Sequence, residues 1–197
     1  IGADGTRYLD AYNNVASVGH CHPRVVAAVS QQMATLNTRS RYLCEIVYTY
    51  VERLLATLPS EVSNIVLTCT GSESVDLALR IARAVTGGTG LIVTENAYHG
   101  NTLAATEISP SSASAEPRNP HVFLVPAPDT YRAGSEDLGP LFAANIRKAI
   151  AAMKKKKIRF AGLVADSIFS SDGIYPGEPG FMAEAIASVR KEGGVFI

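Results

Sequence analysis

Three short segments of this sequence carry residue types that suit the binding of a small charged ligand. The first is Thr70-Gly71-Ser72, which follows an apolar stretch and opens an amphipathic helical pattern. Gly71 would let a ligand approach the backbone closely, and the unpaired N–H groups of a helix start carry about half a unit of positive charge. This combination predicts a phosphate-binding helix start. An ordinary turn into a helix, with Ser72 as its cap, explains the same residues.

The second segment, Tyr98-His99-Gly100, follows another apolar stretch. Tyr98 would stack on a flat ligand, and His99 would lie nearby as a buried, titratable imidazole. The alternative is a loop tyrosine that packs on the core and a structural histidine held by hydrogen bonds. The residue types alone leave both interpretations open.

The third segment is Asp166, which directly follows a further apolar stretch. A carboxylate at this place would be a polar partner for a bound ligand, and a turn cap is the alternative. A metal site is not expected at Gly19-His20-Cys21-His22, because its ligands are consecutive and no fourth follows at zinc spacing. Capping explains His22, which precedes Pro23 at a helix start.

Composition argues against several other classes of function. Lys and Arg total 18, as do Asp and Glu, so there is no electrostatic reason to expect nucleic acid or an anionic membrane as a partner. No apolar run approaches the roughly 20 residues that span a bilayer. The three cysteines are too few and too widely spaced for a disulfide framework. These features predict a cytoplasmic protein.

The elements that would position the three segments are short apolar runs that alternate with amphipathic patterns. Strands are predicted at residues 65–69, 91–95, 122–125, 160–165 and 195–197, and helices at 22–37, 43–58, 72–85, 141–155 and 181–192. This alternation predicts an α/β fold, with a mainly parallel sheet covered by helices on both faces. Ligands bind outside the carboxyl ends of the strands in such a sheet, where all three segments would lie.

The order and spacing of these segments resemble the class III aminotransferases. The resemblance covers nearly the whole chain, and it rests on five motifs: Asp4-Gly5-x-x-Tyr8-Leu9-Asp10, Gly19-His20-x-His22-Pro23, Thr70-Gly71-Ser72-Glu73, Tyr98-His99-Gly100-Asn101-Thr102 and Gly193-Gly194-Val195-Phe196-Ile197.

The resemblance implies a pyridoxal 5'-phosphate (PLP) enzyme with the large domain of fold type I, here incomplete. Residues 1–60 would be the family's N-terminal helical segment and 61–197 part of the PLP-binding domain. Gly71 and Ser72 would hold the cofactor phosphate through backbone N–H groups, Tyr98 would stack on the ring, and His99 would lie beside it. Asp166 stands where the family more often has a glutamate tied to gating an active-site arginine.

By the same resemblance, two central residues would follow Ile197. These are the aspartate that keeps the pyridine nitrogen protonated and the lysine that binds the cofactor covalently. No catalytic residue is therefore assigned within the 197 residues, and this stretch alone is expected to be inactive. The family's dimeric state implies a homodimer, with residues 37–42 near the interface.

Several motifs resemble a narrower subgroup, among them Val18-Gly19-His20-Cys21-His22-Pro23 and Ala127-Pro128-Asp129-Thr130-Tyr131-Arg132. This subgroup includes the ethanolamine-phosphate and phosphohydroxylysine phospho-lyases and the alanine–glyoxylate-like aminotransferases. The expected reaction is amino transfer from an amine or amino acid to a keto acid. The alternative is phosphate elimination from an amino-alcohol phosphate, for which Arg39, Arg41 and Arg132 are candidate anchors. A non-catalytic binding module is a third hypothesis.

Overall fold

The computed structural model describes residues 1–12, 16–38, 41–112, 119–132 and 137–197. Cα packing divides the chain into two compact units, Ile1–Ile65 and Val66–Ile197, which are described separately. The predicted division after residue 60 stays a prediction. None of the described helices is both long and apolar enough to cross a membrane.

The N-terminal unit contains two helices, α1 (Pro23–Thr35) and α2 (Glu45–Leu55). Pro23 occupies the first turn of α1, as its fixed φ favours. Both helices are shorter than predicted, and neither has a buried residue. The apolar side of α1 is half or more exposed at Val25, Val26, Val29 and Met33.

The C-terminal unit is built on four strands, β1 (Gly90–Thr94), β2 (Val122–Val125), β3 (Phe160–Leu163) and β4 (Val195–Phe196). They form one sheet in the order β2-β1-β3-β4, and every pair is parallel. β1 therefore lies inside the sheet between β2 and β3, and all five of its residues are buried. The predicted parallel α/β sheet is confirmed.

The described residues of this unit form four helices: α3 (Gly71–Thr86), α4 (Leu103–Glu107), α5 (Leu138–Lys155) and α6 (Ala183–Lys191). Alternate residues of β1 supply two separate cores. Ile92 joins the cluster that contains α5 and α6 residues, whereas Leu91 and Val93 join the cluster that contains Leu79 of α3. Both faces of the sheet are thus covered, as parallel sheets require.

The predicted strand at residues 65–69 is wrong. The structure has no strand there, and Val66, Leu67 and Cys69 are exposed. A strand needs a neighbouring backbone to complete its ladder, and no described segment pairs with these residues. An apolar run of this length does not reveal whether such a neighbour exists.

Helix α4 was not predicted from the sequence. It has only five residues, too few for a helical period to show, and Thr102 begins it by accepting a hydrogen bond from the Ala105 N–H at 3.4 Å. The helix turns the chain back after the Tyr98 segment.

Candidate functional site

Helix α3 begins with a reciprocal cap. Thr70 Oγ1 accepts a hydrogen bond from the Glu73 N–H at 3.1 Å, and Glu73 Oε2 accepts one from the Cys69 N–H at 2.8 Å. This arrangement resembles a capping box, except that Glu73 accepts from the N–H of Cys69, the residue before the cap, instead of from that of Thr70. The cap is therefore Thr70, and the alternative prediction that Ser72 caps the helix is wrong.

The cap leaves the backbone of the next two residues available. Among the described residues, the N–H groups of Gly71 and Ser72 have no acceptor, as expected for the first turn of a helix. A Cβ built on Gly71 would meet no atom within 4 Å, and its φ is not positive. Neither conformation nor packing among the described residues requires glycine here, and the space where a side chain would stand is open.

The structure brings the first two predicted segments together. Ser72 Oγ accepts a hydrogen bond from the Asn101 N–H at 2.9 Å. Gly100 packs so tightly there that a Cβ on it would lie 2.5 Å from Ser72 Oγ and 2.9 Å from Ser72 Cα. The loop that carries Tyr98 and His99 is therefore seated on the first turn of α3.

Other side chains hold the same loop on its remaining sides. Ser109 Oγ accepts a hydrogen bond from the His99 N–H at 2.8 Å and donates one to the Ala105 carbonyl at 2.7 Å. Ser111 donates to the Ala97 carbonyl through both its N–H and its hydroxyl group. Ser109 is 2% exposed, so its contacts with the loop are buried.

Tyr98 and His99 differ in how they face the solvent. The Tyr98 side chain is about half exposed, at 46%, which leaves its ring available to a ligand. His99 Nε2 is shielded from solvent, and no described residue is its hydrogen-bond partner. Burial lowers the pKa of His99, and the negative charges of Asp166 and Asp172 only partly oppose that shift. The imidazole is therefore neutral near pH 7.

Asp166 uses its carboxylate within its own loop. It accepts hydrogen bonds from the Ile168 N–H at 2.9 Å, from the Ser170 N–H at 2.9 and 3.1 Å, and from the Ser170 hydroxyl at 3.0 Å. The turn-cap alternative is thus what the structure shows. Its charge still acts on His99, and its predicted role in cofactor binding stays a prediction.

Sequence reasoning missed Asp172, whose carboxylate lies at the end of β1. It accepts hydrogen bonds from Thr94 Oγ1 at 2.6 Å and from the Asn96 N–H at 3.0 Å. The partners are 78 and 76 residues away, so no local pattern indicates the contact. The only available signal was an acidic residue in a Ser-Ser-Asp-Gly turn that follows a predicted strand.

The three candidate anchors for a substrate phosphate have different surroundings. Arg132 forms an ion pair with Asp129 at 2.6 Å, and its side chain is 75% exposed. Arg41 is exposed, and Arg39 lies outside the described residues. Their roles stay predictions.

The comparisons with known proteins agree on one family. The family model described as Aminotransferase class-III matches residues 1–197. "Alanine--glyoxylate aminotransferase 2-like" of Drosophila melanogaster is 35% identical and aligns with 98% of this chain and 41% of its own length. "Ethanolamine-phosphate phospho-lyase homolog 1" of Caenorhabditis elegans is 31% identical, with 97% and 44% aligned. The chain thus spans less than half the length of these relatives.

Solved structures also include proteins with a fold similar to that of this chain. A phospholyase from Arthrobacter, in complex with phosphoethanolamine, is 36% identical, with a TM-score of 0.87 over 98% of this chain and 47% of its own. An (S)-enantioselective omega-transaminase from Thermomicrobium roseum is 21% identical, with a TM-score of 0.75 over 91% and 43%. The second likeness shows the fold alone.

Replacing Gly100 by alanine should disrupt the packing of the Tyr98–His99 loop against the first turn of α3. Its φ of +135° and the overlap with Ser72 should together lower the free energy of unfolding by about 2–4 kcal/mol. Gly180→Ala is the matched control, because Gly180 also has a positive φ but no atom within 4 Å; it should cost about 1 kcal/mol. Chemical denaturation measures the free energy of unfolding of both variants, and equal losses of stability would contradict the close contact between Gly100 and Ser72.

His99 should make stability depend on pH in a defined direction. Because its pKa is lower in the folded chain than the ordinary 6.5, the unfolded chain takes up the proton first. Its contribution is complete above about pH 6.5 and is lost as the pH falls towards the folded-state value. His99→Asn should therefore flatten the decline in the free energy of unfolding between pH 7 and 5. An identical dependence of the free energy of unfolding on pH, with and without the His99→Asn substitution, would disprove the lowered pKa of His99.

Proposed function

The chain belongs to the class III aminotransferases, a family of PLP enzymes, and we propose that the enzyme transfers an amino group from an amine or amino acid to a keto acid. The observation that carries the proposal is the open start of α3, where the N–H groups of Gly71 and Ser72 lie beside the Tyr98 loop. This pairing offers an anion site and an aromatic surface to one ligand.

The residues present fit the cofactor. The N–H groups of Gly71 and Ser72 would bind its phosphate, favoured by the positive end of the helix dipole. Tyr98, half exposed, would cover one face of its ring, and neutral His99 would lie beside the ring without adding charge. When bound, PLP supplies an electron sink for negative charge next to the substrate nitrogen.

This chain's own contribution is to bind and orient. The bond between Ser72 and Asn101 fixes the phosphate-binding turn against the loop that presents Tyr98, so that the two contacts are set before a ligand arrives. We assign no catalytic residue among these residues. The activity of the whole enzyme is a proposal, because the chain spans 41–47% of the relatives compared above.

A second candidate is phosphate elimination from an amino-alcohol phosphate such as phosphoethanolamine. One observation favours it: the Arthrobacter phospholyase, solved in complex with phosphoethanolamine, is 36% identical with a TM-score of 0.87. Arg39, Arg41 or Arg132 would then bind the substrate phosphate through a guanidinium group.

We also propose that the enzyme is a homodimer located in the cytoplasm. The exposed apolar side of α1 supports the first part, because such a surface is normally covered by protein. The few, widely spaced cysteines support a reducing compartment.

Replacing Gly71 by leucine should weaken PLP binding without unfolding the protein. Leucine favours a helix, and its Cβ meets nothing within 4 Å, so the midpoint of thermal unfolding of the cofactor-free protein should not fall. The side chain would cover the two N–H groups, and we expect PLP affinity in the full-length enzyme to fall at least about tenfold, the effect of losing one charge-assisted hydrogen bond. Titration followed by PLP absorbance measures this, and unchanged affinity would rule out the phosphate site.

The two reactions differ in their need for a second substrate. Under the proposal, full-length enzyme with PLP should convert a keto acid to an amino acid only when an amine donor is present, and it should release no phosphate from phosphoethanolamine. Amino-acid analysis and inorganic-phosphate assay of the same samples measure both products, with the Gly71→Leu variant as the low-binding control. Phosphate release without any keto acid would instead establish the second candidate.

A further inference from the structure

Asp172 joins two neighbouring strand ends. It lies in the loop after β3, and both carboxylate oxygens are used at the end of β1: Oδ2 by Thr94 Oγ1 at 2.6 Å and Oδ1 by the Asn96 N–H at 3.0 Å. β1 and β3 are adjacent and parallel, so the two loops leave the same edge of the sheet. The carboxylate therefore bridges these loops where each leaves the sheet.

The loop that carries Asp172 is itself firmly anchored. Phe169 is 1% exposed, and its ring lies 5.7 Å from that of Phe142 and 6.1 Å from that of Phe181. Its carbonyl accepts hydrogen bonds from three successive N–H groups, those of Asp172, Gly173 and Ile174, at 3.0–3.1 Å. Phe169 has a φ of +51°, a conformation that persists only where the surroundings enforce it. Asp172 is thus presented from a fixed point.

The segment at the other end of this bridge is the one that bears Tyr98 and His99. Asn96, bound by Asp172, precedes Tyr98 by two residues; Ser111 then binds the Ala97 carbonyl and Ser109 the His99 N–H. Asp172 is therefore the first described side chain to bind the backbone of this segment after β1. Asp166, which follows the same strand, differs in that its carboxylate hydrogen bonds to described residues stay within residues 166–170.

We propose that Asp172 is a positioning residue that holds the Tyr98–His99 loop in the orientation required for cofactor binding, by tying the backbone after β1 to the anchored loop after β3. The proposal rests on the proposed function, because PLP is the ligand whose binding the orientation serves. Asp172 touches neither reacting atoms nor the start of α3, and it acts through Asn96 and Thr94. Its negative charge also opposes the effect of burial on the pKa of His99, which is consistent with its place beside this loop.

Substitutions of Asp172 and of Thr94 distinguish an effect of the lost hydrogen bonds from an effect of the lost negative charge. Asp172→Ala removes both hydrogen bonds, whereas Asp172→Asn keeps the shape, because an amide can accept from the Asn96 N–H and donate to the Thr94 hydroxyl. Thr94→Val removes one hydrogen bond and leaves the carboxylate in place. Asp137→Ala is the matched control: Asp137 caps α5 by accepting from the Gly139 N–H at 3.2 Å, away from this loop in sequence.

The measurements are PLP affinity of the full-length enzyme by absorbance titration, and amide hydrogen exchange of the cofactor-free protein. We expect Asp172→Ala to weaken PLP binding roughly tenfold, because losing a hydrogen bond to a charged group shifts the ratio of correctly oriented to misoriented loop by about that factor. Amide hydrogen exchange at Asn96 and His99 should become faster. Thr94→Val should act in the same direction more weakly. Asp172→Asn and Asp137→Ala should bind PLP within about twofold of the original protein.

The outcomes distinguish this proposal from the proposed function. If the unsubstituted protein does not bind PLP, the proposed function is overturned. Amide hydrogen exchange at Asn96 and His99 would still test whether Asp172 holds the loop. Should Asp172→Ala fail to fold, Thr94→Val decides, since valine has nearly the shape of threonine. Affinity and exchange unchanged in whichever of the two variants folds would overturn the positioning role. A loss of affinity in Asp137→Ala equal to that in Asp172→Ala would overturn it as well, by attributing the effect to general destabilisation.

Discussion

The hydrogen bond from the Asn101 N–H to Ser72 Oγ is the contact on which the candidate site depends. It joins a helix start, whose unpaired N–H groups attract an anion, to a loop that presents an aromatic ring. Neither feature alone is specific, because helix starts and loop tyrosines occur in every class of protein. Their contact makes them one surface, and the close packing of Gly100 against Ser72 leaves no room for a side chain that would separate them.

The Tyr98–His99 loop shows how an irregular segment is kept in one conformation at the edge of a sheet. Backbone groups outside helices and sheets need other partners, and here short polar side chains supply them: Ser72, Ser109, Ser111 and Asp172 each bind a different backbone group of the loop. Short side chains lose little conformational entropy on being fixed, and each brings another element close. The loop is therefore held by the loop after β3, by α3 and by the chain after α4, and under the proposed function this arrangement would present Tyr98 to a ligand without rearrangement.

The sequence predicted the four strands and helices α3, α5 and α6 of the C-terminal unit, for identifiable physical reasons. Residues 91–93 and 160–165 are apolar because their strands are covered on both faces, and the alternation of such runs with amphipathic helices indicates a parallel sheet. The rule that ligands bind at the carboxyl ends of strands predicted the Tyr98 loop at the edge of the sheet, whereas it put Ser72 there through a strand that the structure does not have. The predicted strand at 65–69 failed because strand formation depends on a partner that composition does not show. Asp172 was missed because its partners lie 76 and 78 residues away, and the Thr70 cap because serine has a greater intrinsic preference than threonine for that position.

The positive and the negative charge around the candidate site come from different elements. The start of α3 supplies partial positive charge without any basic side chain, while Asp166 and Asp172 place negative charge near His99. Because burial keeps His99 neutral, the imidazole does not cancel either charge. Under the proposed function, a ligand with a phosphate at one end and a flat ring at the other would be drawn by its phosphate towards α3 and repelled from the carboxylates, so that electrostatics and stacking would favour the same orientation. Both proposed reactions, amino transfer and phosphate elimination, would begin from that orientation.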